Sequence, residues 1–468
     1  MIRRFIGDRA FYKKILAVSV PLMIQQGVTN LVNLLDNIMV GALGTESMTG
    51  VSIVNQFVFV FNLLVFGAIS AAGIFTAQYH GLGDVEGVRH TFRFKLLVNL
   101  GAGILGTAVM LLFSKELISL FLMGGGTEGD PALTMSEGLR YLAVMVVGLL
   151  PYAIAQVYAS TLRETGETVF PMIASVVAVA TNCVLNLILI FGLLGAPAMG
   201  VAGAALATVI SRFAELLVLL LRTHLKRDKH PFIKGAYRSF RVPKALFARI
   251  AVKGLPLMAN EFFWALAITF RNQCYSTRGL EVVAAQNISS TIFNLFNVIY
   301  MALGSAIAIV VGNLLGAGEL EKARDTDRKM MAFSVFCAVV MGGLLSALAP
   351  LFPQVYNTTD GVRRIATEMI LVSAATMPFC AFAHSAYFTL RSGGRVLITL
   401  LFDSVYIWAI VIPVTASFAY FTAVPILALF AIGQGVEALK CIFGAALLRR
   451  GTWVRQLVSH EGGEENGA

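Results

Sequence analysis

A single carboxylate, Asp36, stands inside an otherwise apolar run from Ile15 to Gly44 that also carries Gln26, Asn30, Asn33 and Asn37. At helical spacing these amides form one stripe with Asp36 at its edge. The run exceeds the ~20 residues needed to cross a bilayer. A carboxylate at the centre of a spanning helix costs roughly 2.5–3.5 kcal/mol on insertion scales, so it normally turns toward a bundle interior or a water-filled cavity. The chemistry open to it is electrostatic: holding Na+, a proton or an organic cation. A structural aspartate satisfied by neighbouring amides is the competing reading. Glu261 and Asp403 are two further acidic candidates inside apolar segments. Asp403 could attract a cation, or it could be paired with His384 or with a group on the last apolar segment. Asn287, Asn294 and Asn297 form a polar seam that could line a cavity or join helices. Arg271 lies ten residues beyond Glu261, about 15 Å along a helix, too far to pair with it, and is expected to snorkel at the outer end. Arg212 with Glu215, and Glu437 with Lys440, read as i, i+3 pairs neutralising one another near cytoplasmic helix ends.

The chain that must position these groups has 468 residues, of which 57% are hydrophobic and only 13% charged, with a mean hydropathy of +0.78. Soluble chains carry about 25% charged residues, so this is an all-α polytopic membrane protein embedded in a lipid bilayer. About twelve apolar segments have membrane length: 15–40, 50–79, 94–114, 139–162, 168–192, 200–222, 250–275, 285–314, 330–350, 366–390, 396–419 and 424–447. Lys and Arg concentrate in alternate connections, among them 222–253 with Lys226, Arg227, Lys229, Lys234, Arg238 and Arg241. The positive-inside bias then puts both termini in the cytoplasm and the protein in the plasma membrane as a multi-pass chain. The net charge of +10 resides in these short connectors, which argues against nucleic-acid binding. Five cysteines lie in apolar runs without C-x-x-C spacing and read as free thiols. No phosphate-binding loop, nucleophile elbow or clustered His/Glu metal motif points to an enzyme, and no cofactor is expected.

The chain also repeats itself. At an offset of 235 positions, Pro21-Leu22-Met23 falls on Pro256-Leu257-Met258, Asn37 on Asn272, Gly44 on Gly279, Phe61-Asn62 on Phe296-Asn297, and Gly81 and Gly83 on Gly316 and Gly318. At an offset of 228, Thr161-Leu162-Arg163 falls on Thr389-Leu390-Arg391. Two six-helix bundles in the same orientation follow, a parallel repeat. The expected domains are an N-terminal lobe at 1–222, a basic cytoplasmic linker at 223–249, a C-terminal lobe at 250–450 and a cytoplasmic tail at 451–468, disordered after about Val458 where it turns acidic and glycine-rich. Asp36 falls on Arg271 and Glu261 on Gln26 in this repeat, so the two lobes differ chemically. Pro21, Pro151, Pro256, Pro378 and Pro413 interrupt helices and are candidate bending points.

These patterns resemble a known family. Pro21 followed by Asp36-Asn37-Ile38-Met39-Val40-Gly41-Ala42-Leu43-Gly44 resembles the first-helix signature of the prokaryotic MATE (multidrug and toxic compound extrusion) transporters. Gly81-Leu82-Gly83-Asp84, Leu315-Gly316-Ala317-Gly318-Glu319, Thr161-Leu162-Arg163 and Thr389-Leu390-Arg391-Ser392-Gly393-Gly394 are similar to the family's other motifs, so the resemblance covers about residues 10–450. It implies a V-shaped, two-lobed, twelve-helix antiporter, expected to be a monomer, that exports amphiphilic organic cations or drugs in exchange for Na+ or H+. It further implies an ion site, possible Na+ at Asp36, completed by helices five and six. The matching residues are Asn182 and Asn186, four apart in Asn182-Cys183-Val184-Leu185-Asn186, and Thr208 in the GAALAT stretch. Where many relatives have a second carboxylate this sequence has Asn186, which leaves Asp36 as the only formal anion and both Na+ and H+ open. Asn33, Asn37, Glu261, Asp403, Asn287 and Asn294 are candidates to line the substrate cavity. The alternative from the wider superfamily is a flippase for a lipid-linked saccharide, in which basic residues would hold pyrophosphate.

Overall fold

The computed structural model describes residues 4–122 and 130–458, without the side chains of Asn33, Leu34 and Asn37. The acidic tail therefore lies outside the described residues. The first half contains helices α1 (Arg9–Gly41), α2 (Thr45–Leu82), α3 (Val85–Leu112), α4 (Ser114–Leu122), α5 (Pro131–Met145), α6 (Leu149–Glu164), α7 (Val169–Phe191) and α8 (Val201–Leu225). The second contains α9 (Lys244–Ser276), α10 (Leu280–Phe296), α11 (Val298–Gly316), α12 (Leu320–Leu348), α13 (Asp360–Ser392), α14 (Val396–Leu400), α15 (Ile412–Phe421), α16 (Ile426–Ala438) and α17 (Lys440–Arg449). No strand occurs among the described residues.

Eleven helical spans among the described residues are long and apolar enough to cross a membrane. One of them joins α5 to α6 through a 3-10 turn at Val146–Gly148, and another joins α14 to α15. The 33-residue α9 is not among the eleven, because Asn260, Glu261, Arg271, Asn272 and Gln273 dilute its apolar character; with it the spans number twelve. Two elements differ from the sequence pattern. Helix α3 begins nine residues before the apolar segment 94–114, since Arg93 and Lys95 point inward: Arg93 Nε donates to the Ala236 carbonyl at 2.8 Å and Lys95 is fully buried. The segment 285–314 divides at Asn297 into α10 and α11, whereas its repeat counterpart, α2, runs unbroken for 38 residues through Asn62.

The chain forms two compact units. The first comprises Ile24–Thr76 and Val85–Ala251, and the second the chain up to Met23, Ala77–Asp84 and everything from Val252. The division cuts α1 two residues after Pro21, whose ring cannot donate to the Ala17 carbonyl. The core of the first unit is built on Val54, Val58, Phe61, Tyr141, Leu142, Leu149 and Ile190. In the second, Leu303, Ile307, Val311, Leu390 and Trp453 pack together, with Ile15 and Leu22 of α1 among them.

Repeat-related glycines hold the end of α2 against α11 within the second unit. A Cβ on Gly81 would lie 1.9 Å from the Asn313 carbonyl oxygen, and one on Gly316 would lie 1.9 Å from that of Gln78. Gln78 and Asn313 are themselves related by the 235-residue offset, so the crossing is internally symmetric. The following turns use Gly83 and Gly318 at φ +81° and +76°, backbone that glycine adopts without the penalty a Cβ brings. Gln78, wholly buried, donates to the Ser392 carbonyl at 3.0 Å and accepts from the Leu457 amide at 2.6 Å, which fastens the last described segment to this crossing.

Candidate functional site

Three helices of the first unit bring Asp36, Asn182, Asn186 and Thr208 together. Helices α7 and α8 meet closely because Gly203 offers no side chain: a Cβ there would stand 2.5 Å from the Leu189 carbonyl oxygen. Gly192, at φ +71°, ends α7, and the Met199 amide returns to the Leu189 carbonyl at 2.8 Å. That tight turn sets the register in which Asn182 and Asn186, one turn apart, face Thr208. Asn186 is 1% exposed and donates through Nδ2 to Asp36 Oδ1 at 2.5 Å. Its own Oδ1 is buried with no donor.

The Asn182 amide completes the arrangement: its nitrogen donates to Asp36 Oδ1 at 2.9 Å and its oxygen accepts from Thr208 Oγ1 at 3.2 Å. One formal charge with a spare acceptor on Asn186 fits a monovalent cation or a proton. Among the described residues no cluster of three or more His, Cys, Asp or Glu side chains is gathered as a metal site. The side chains of Asn33 and Asn37 lie outside the described residues, while Gln26 is exposed.

The acidic candidates of the second unit lie in a different setting. Asp403 Oδ1 accepts from Lys440 Nζ at 2.7 Å, and its Oδ2 from Asn260 Nδ2 at 3.1 Å. The group on the last segment, not His384, is thus its ion-pair partner. Asn260 also reaches the backbone: its Oδ1 accepts from the Ser404 amide at 3.3 Å, and Ser404 Oγ lies 2.8 Å from its carbonyl oxygen. A side chain inserted at this point explains why Leu401–Val405 and Ile407–Val411 widen into π-helix where sequence alone indicates a regular helix. Glu261, next to Asn260, accepts from Tyr387 Oη at 2.8 Å. Asn287 and Asn294 are exposed on α10, and Asn294 Oδ1 accepts from Asn297 Nδ2 at 3.3 Å.

Several charged residues depart from their expected places. Arg271 does not snorkel but pairs with Glu437, their side chains 18% and 22% exposed. Glu437 and Lys440 therefore have partners on other helices, so they are not simply an isolated i, i+3 pair. Glu215 Oε1 accepts from Ser175 Oγ at 3.0 Å, and no ion pair joins it to Arg212 among the described residues. The buried Lys95–Glu164 ion pair went unnoticed in the sequence because Lys95 sits in a basic stretch at the mouth of an apolar segment. Its signal was present: placed on α3, Lys95 comes two turns after Glu86 and beyond the helix's first turns, where a cation needs a partner.

Comparison with known proteins follows this geometry. The MatE family model matches residues 21–188 and 257–421, one match in each half of the repeat. Similar curated proteins include the probable multidrug resistance protein NorM of Thermotoga maritima, 24% identical with 86% of this chain and 84% of that protein covered. Another is the multidrug resistance protein PmpM of Pseudomonas aeruginosa, 26% identical over 88% and 85%. Among solved structures, one described as MATE in complex with MaL6 superposes with a TM-score of 0.86 at 21% identity, covering 97% of this chain and 98% of that one. An outward-facing MATE family transporter matches with a TM-score of 0.85 at 21% identity, covering 96% and 98%. At those identities the structural likeness concerns the fold.

Proposed function

The chain belongs to the MatE family, and we propose that it exports amphiphilic organic cations or drugs in exchange for Na+ or H+ by alternating access. The observation that carries this reading is the convergence of Asp36, Asn182, Asn186 and Thr208, one formal charge gathered with two amides and a hydroxyl. The names of the relatives, multidrug resistance proteins, support the substrate class.

The mechanism follows from charge. Asp36 ionised presents a single negative charge in a low-dielectric setting and attracts an organic cation. A proton or Na+ on Asp36 cancels that charge. One carboxylate cannot satisfy both cations, so the coupling ion weakens substrate binding, and by linkage the substrate weakens ion binding to the same extent. A state released outward when the ion is bound then yields export driven by inward ion flow. In this reading the chain is a plasma-membrane monomer with both termini and the basic 223–249 linker in the cytoplasm, the lobes spanning 1–222 and 250–450.

The flippase alternative requires uncompensated buried cations to hold pyrophosphate. Lys95 pairs with Glu164, Arg271 with Glu437 and Lys440 with Asp403, which removes three such candidates. Equilibrium ethidium binding to purified protein tests the reading. Affinity should fall at least tenfold as Na+ or H+ is raised, and Asp36→Asn should abolish that dependence. Ethidium binding indifferent to both ions in the wild type would remove the basis for exchange.

A further inference from the structure

The last described residues form no helix, yet they are buried. Gly451, at φ +66°, follows α17 and places its amide on the Leu448 carbonyl at 3.0 Å, so the chain turns back onto the second unit. Trp453 is 2% exposed, and Leu457 and Val458 are buried as well. A terminal segment without secondary structure is held this way only where a groove ties it down. Glycines shape that groove. A Cβ on Gly393 would collide with the Trp453 carbonyl oxygen, and one on Gly394, at φ +68°, with the Leu457 side chain. At the 228-residue offset Gly393 falls on Thr165 and Gly394 on Gly166, where a Cβ would meet nothing within 4 Å. The repeat accounts for the glycine at 394 but not for the one at 393, whose missing side chain makes way for the terminal segment.

This segment binds both helices of the α2–α11 crossing. Gln456 Nε2 donates to the Gly316 carbonyl of α11 at 2.7 Å, and the adjacent Leu457 amide donates to Gln78 Oε1 of α2 at 2.6 Å. Arg395 Nε donates to the Thr452 carbonyl at 3.0 Å and steadies the approach. Because consecutive residues hold opposite sides, both bonds exist only while α2 and α11 lie together. The crossing itself is formed or broken with little between, since backbone meets backbone at Gly81 and Gly316 and no side chains are interposed to slide along. Helix α2 is unbroken, yet its residues up to Thr76 belong to the first unit and those from Ala77 to the second. A stiff helix that moves with the first unit must draw its end away from Gly316.

We infer that residues 451–458 are a latch: docked, they hold the α2–α11 crossing closed, and they lift when it parts, so this segment sets how often that end of the second unit opens. A segment that binds only the closed arrangement shifts the equilibrium toward it by its whole docking affinity. Gln78 makes the two events cooperative. Its side chain is wholly buried, so a lifted segment leaves Oε1 enclosed without its donor until the crossing opens to water. The latch stands on the crossing alone; that its lifting accompanies transport rests on the export reading above.

Amide hydrogen exchange on the purified protein reads the opening of α2 at Ala77–Leu82. A chain ending at Arg450 should exchange there at least tenfold faster than the full chain, with the first unit's core around Leu142 and Leu149 unchanged within twofold. A synthetic peptide of residues 451–458 should restore protection saturably to the shortened chain, and the peptide carrying Gln456→Ala should require a severalfold higher concentration. In the full chain Gln456→Ala should speed exchange severalfold, which serves if the shortened chain does not fold. Ethidium should change exchange at the Leu457 amide and at the end of α2 in the same direction and proportion. Unchanged exchange at Ala77–Leu82 in either variant, faster exchange spread evenly over both units, or a peptide that restores nothing would each overturn the inference. A response to truncation and peptide without any response to ethidium would keep the latch and strike its link to export.

Discussion

Replacing Asp403 by Asn should leave the Lys440 ammonium buried without a counter-charge. The two side chains are 2.7 Å apart and only 13% and 7% exposed, so neither is screened by solvent. Removing one member of such a pair costs about 3–5 kcal/mol, mainly through the charge left behind. At about 2–4 °C per kcal/mol for a unit of roughly 250 residues, the melting temperature should drop by about 10 °C. Lys440→Met should do the same for the converse reason, with Asp403 then isolated. The double variant Asp403→Asn/Lys440→Met removes both charges and should return to within about 2 kcal/mol of wild type. Arg364 and Glu368, 82% and 31% exposed, supply the reference, and Glu368→Gln should cost under about 1 kcal/mol. Thermal unfolding of purified protein followed by tryptophan fluorescence suits the purpose, since Trp408 and Trp453 belong to the same unit. Single variants each costing under about 1 kcal/mol, with effects that simply add, would refute the argument.

Gly316→Ala should prevent correct folding, because its Cβ would meet the Gln78 carbonyl oxygen at 1.9 Å, whereas Gly343→Ala has nothing within 4 Å and should be tolerated; equal yields of monodisperse protein would count against the crossing. Asn186→Asp adds a second charge beside Asp36 and should tighten Na+ binding at least tenfold, about 1.4 kcal/mol, in a direct isotope-binding assay; unchanged affinity would place the ion elsewhere. His230, in the connection between α8 and α9, is 4% exposed, and its burial holds the imidazole below its ordinary value of 6.5, with Glu167 opposing in part. The folded linker therefore binds fewer protons than the unfolded one, so its packing is at full strength above about pH 6.5 and weakens as pH falls through that value. Proteolysis between Lys226 and Lys244 should quicken from pH 8 to pH 5.5, and His230→Gln should flatten that dependence; identical rates in the wild type would disprove the linkage.

The fold was legible in the sequence to the extent that periodic burial and composition define it. The spacing of apolar segments, the repeat and the family resemblance all point to the twelve spans and to the relation between Gly81 and Gly316. What the spacing could not show is how α10 and α11 divide at Asn297, or that α3 starts at Val85, because both depend on where side chains find partners and not on hydropathy. The same limit applies to charges. Arg212 with Glu215, and Glu437 with Lys440, look like local pairs at i, i+3, yet Glu437 turns to Arg271, Lys440 to Asp403 and Glu215 to Ser175. In a bundle, a buried charge chooses its partner across helices, and a one-dimensional reading ranks only neighbours along the chain. The π-helix around Asp403 was hidden for the same reason, since its cause is Asn260 on another helix. The residues around Asp36 were named through the family pattern; the structure adds that the Asn182 amide bridges Asp36 and Thr208, which no spacing rule contains.

Efflux of ethidium from energised vesicles, under an imposed Na+ gradient and then a pH gradient, tests the central claim most directly when wild type is compared with Asp36→Asn. The account predicts that one of the two gradients drives efflux by the wild type, and that Asp36→Asn abolishes it while the protein remains folded in the membrane. Efflux that persists undiminished in Asp36→Asn, or wild-type transport that neither gradient drives for any organic cation, would contradict it.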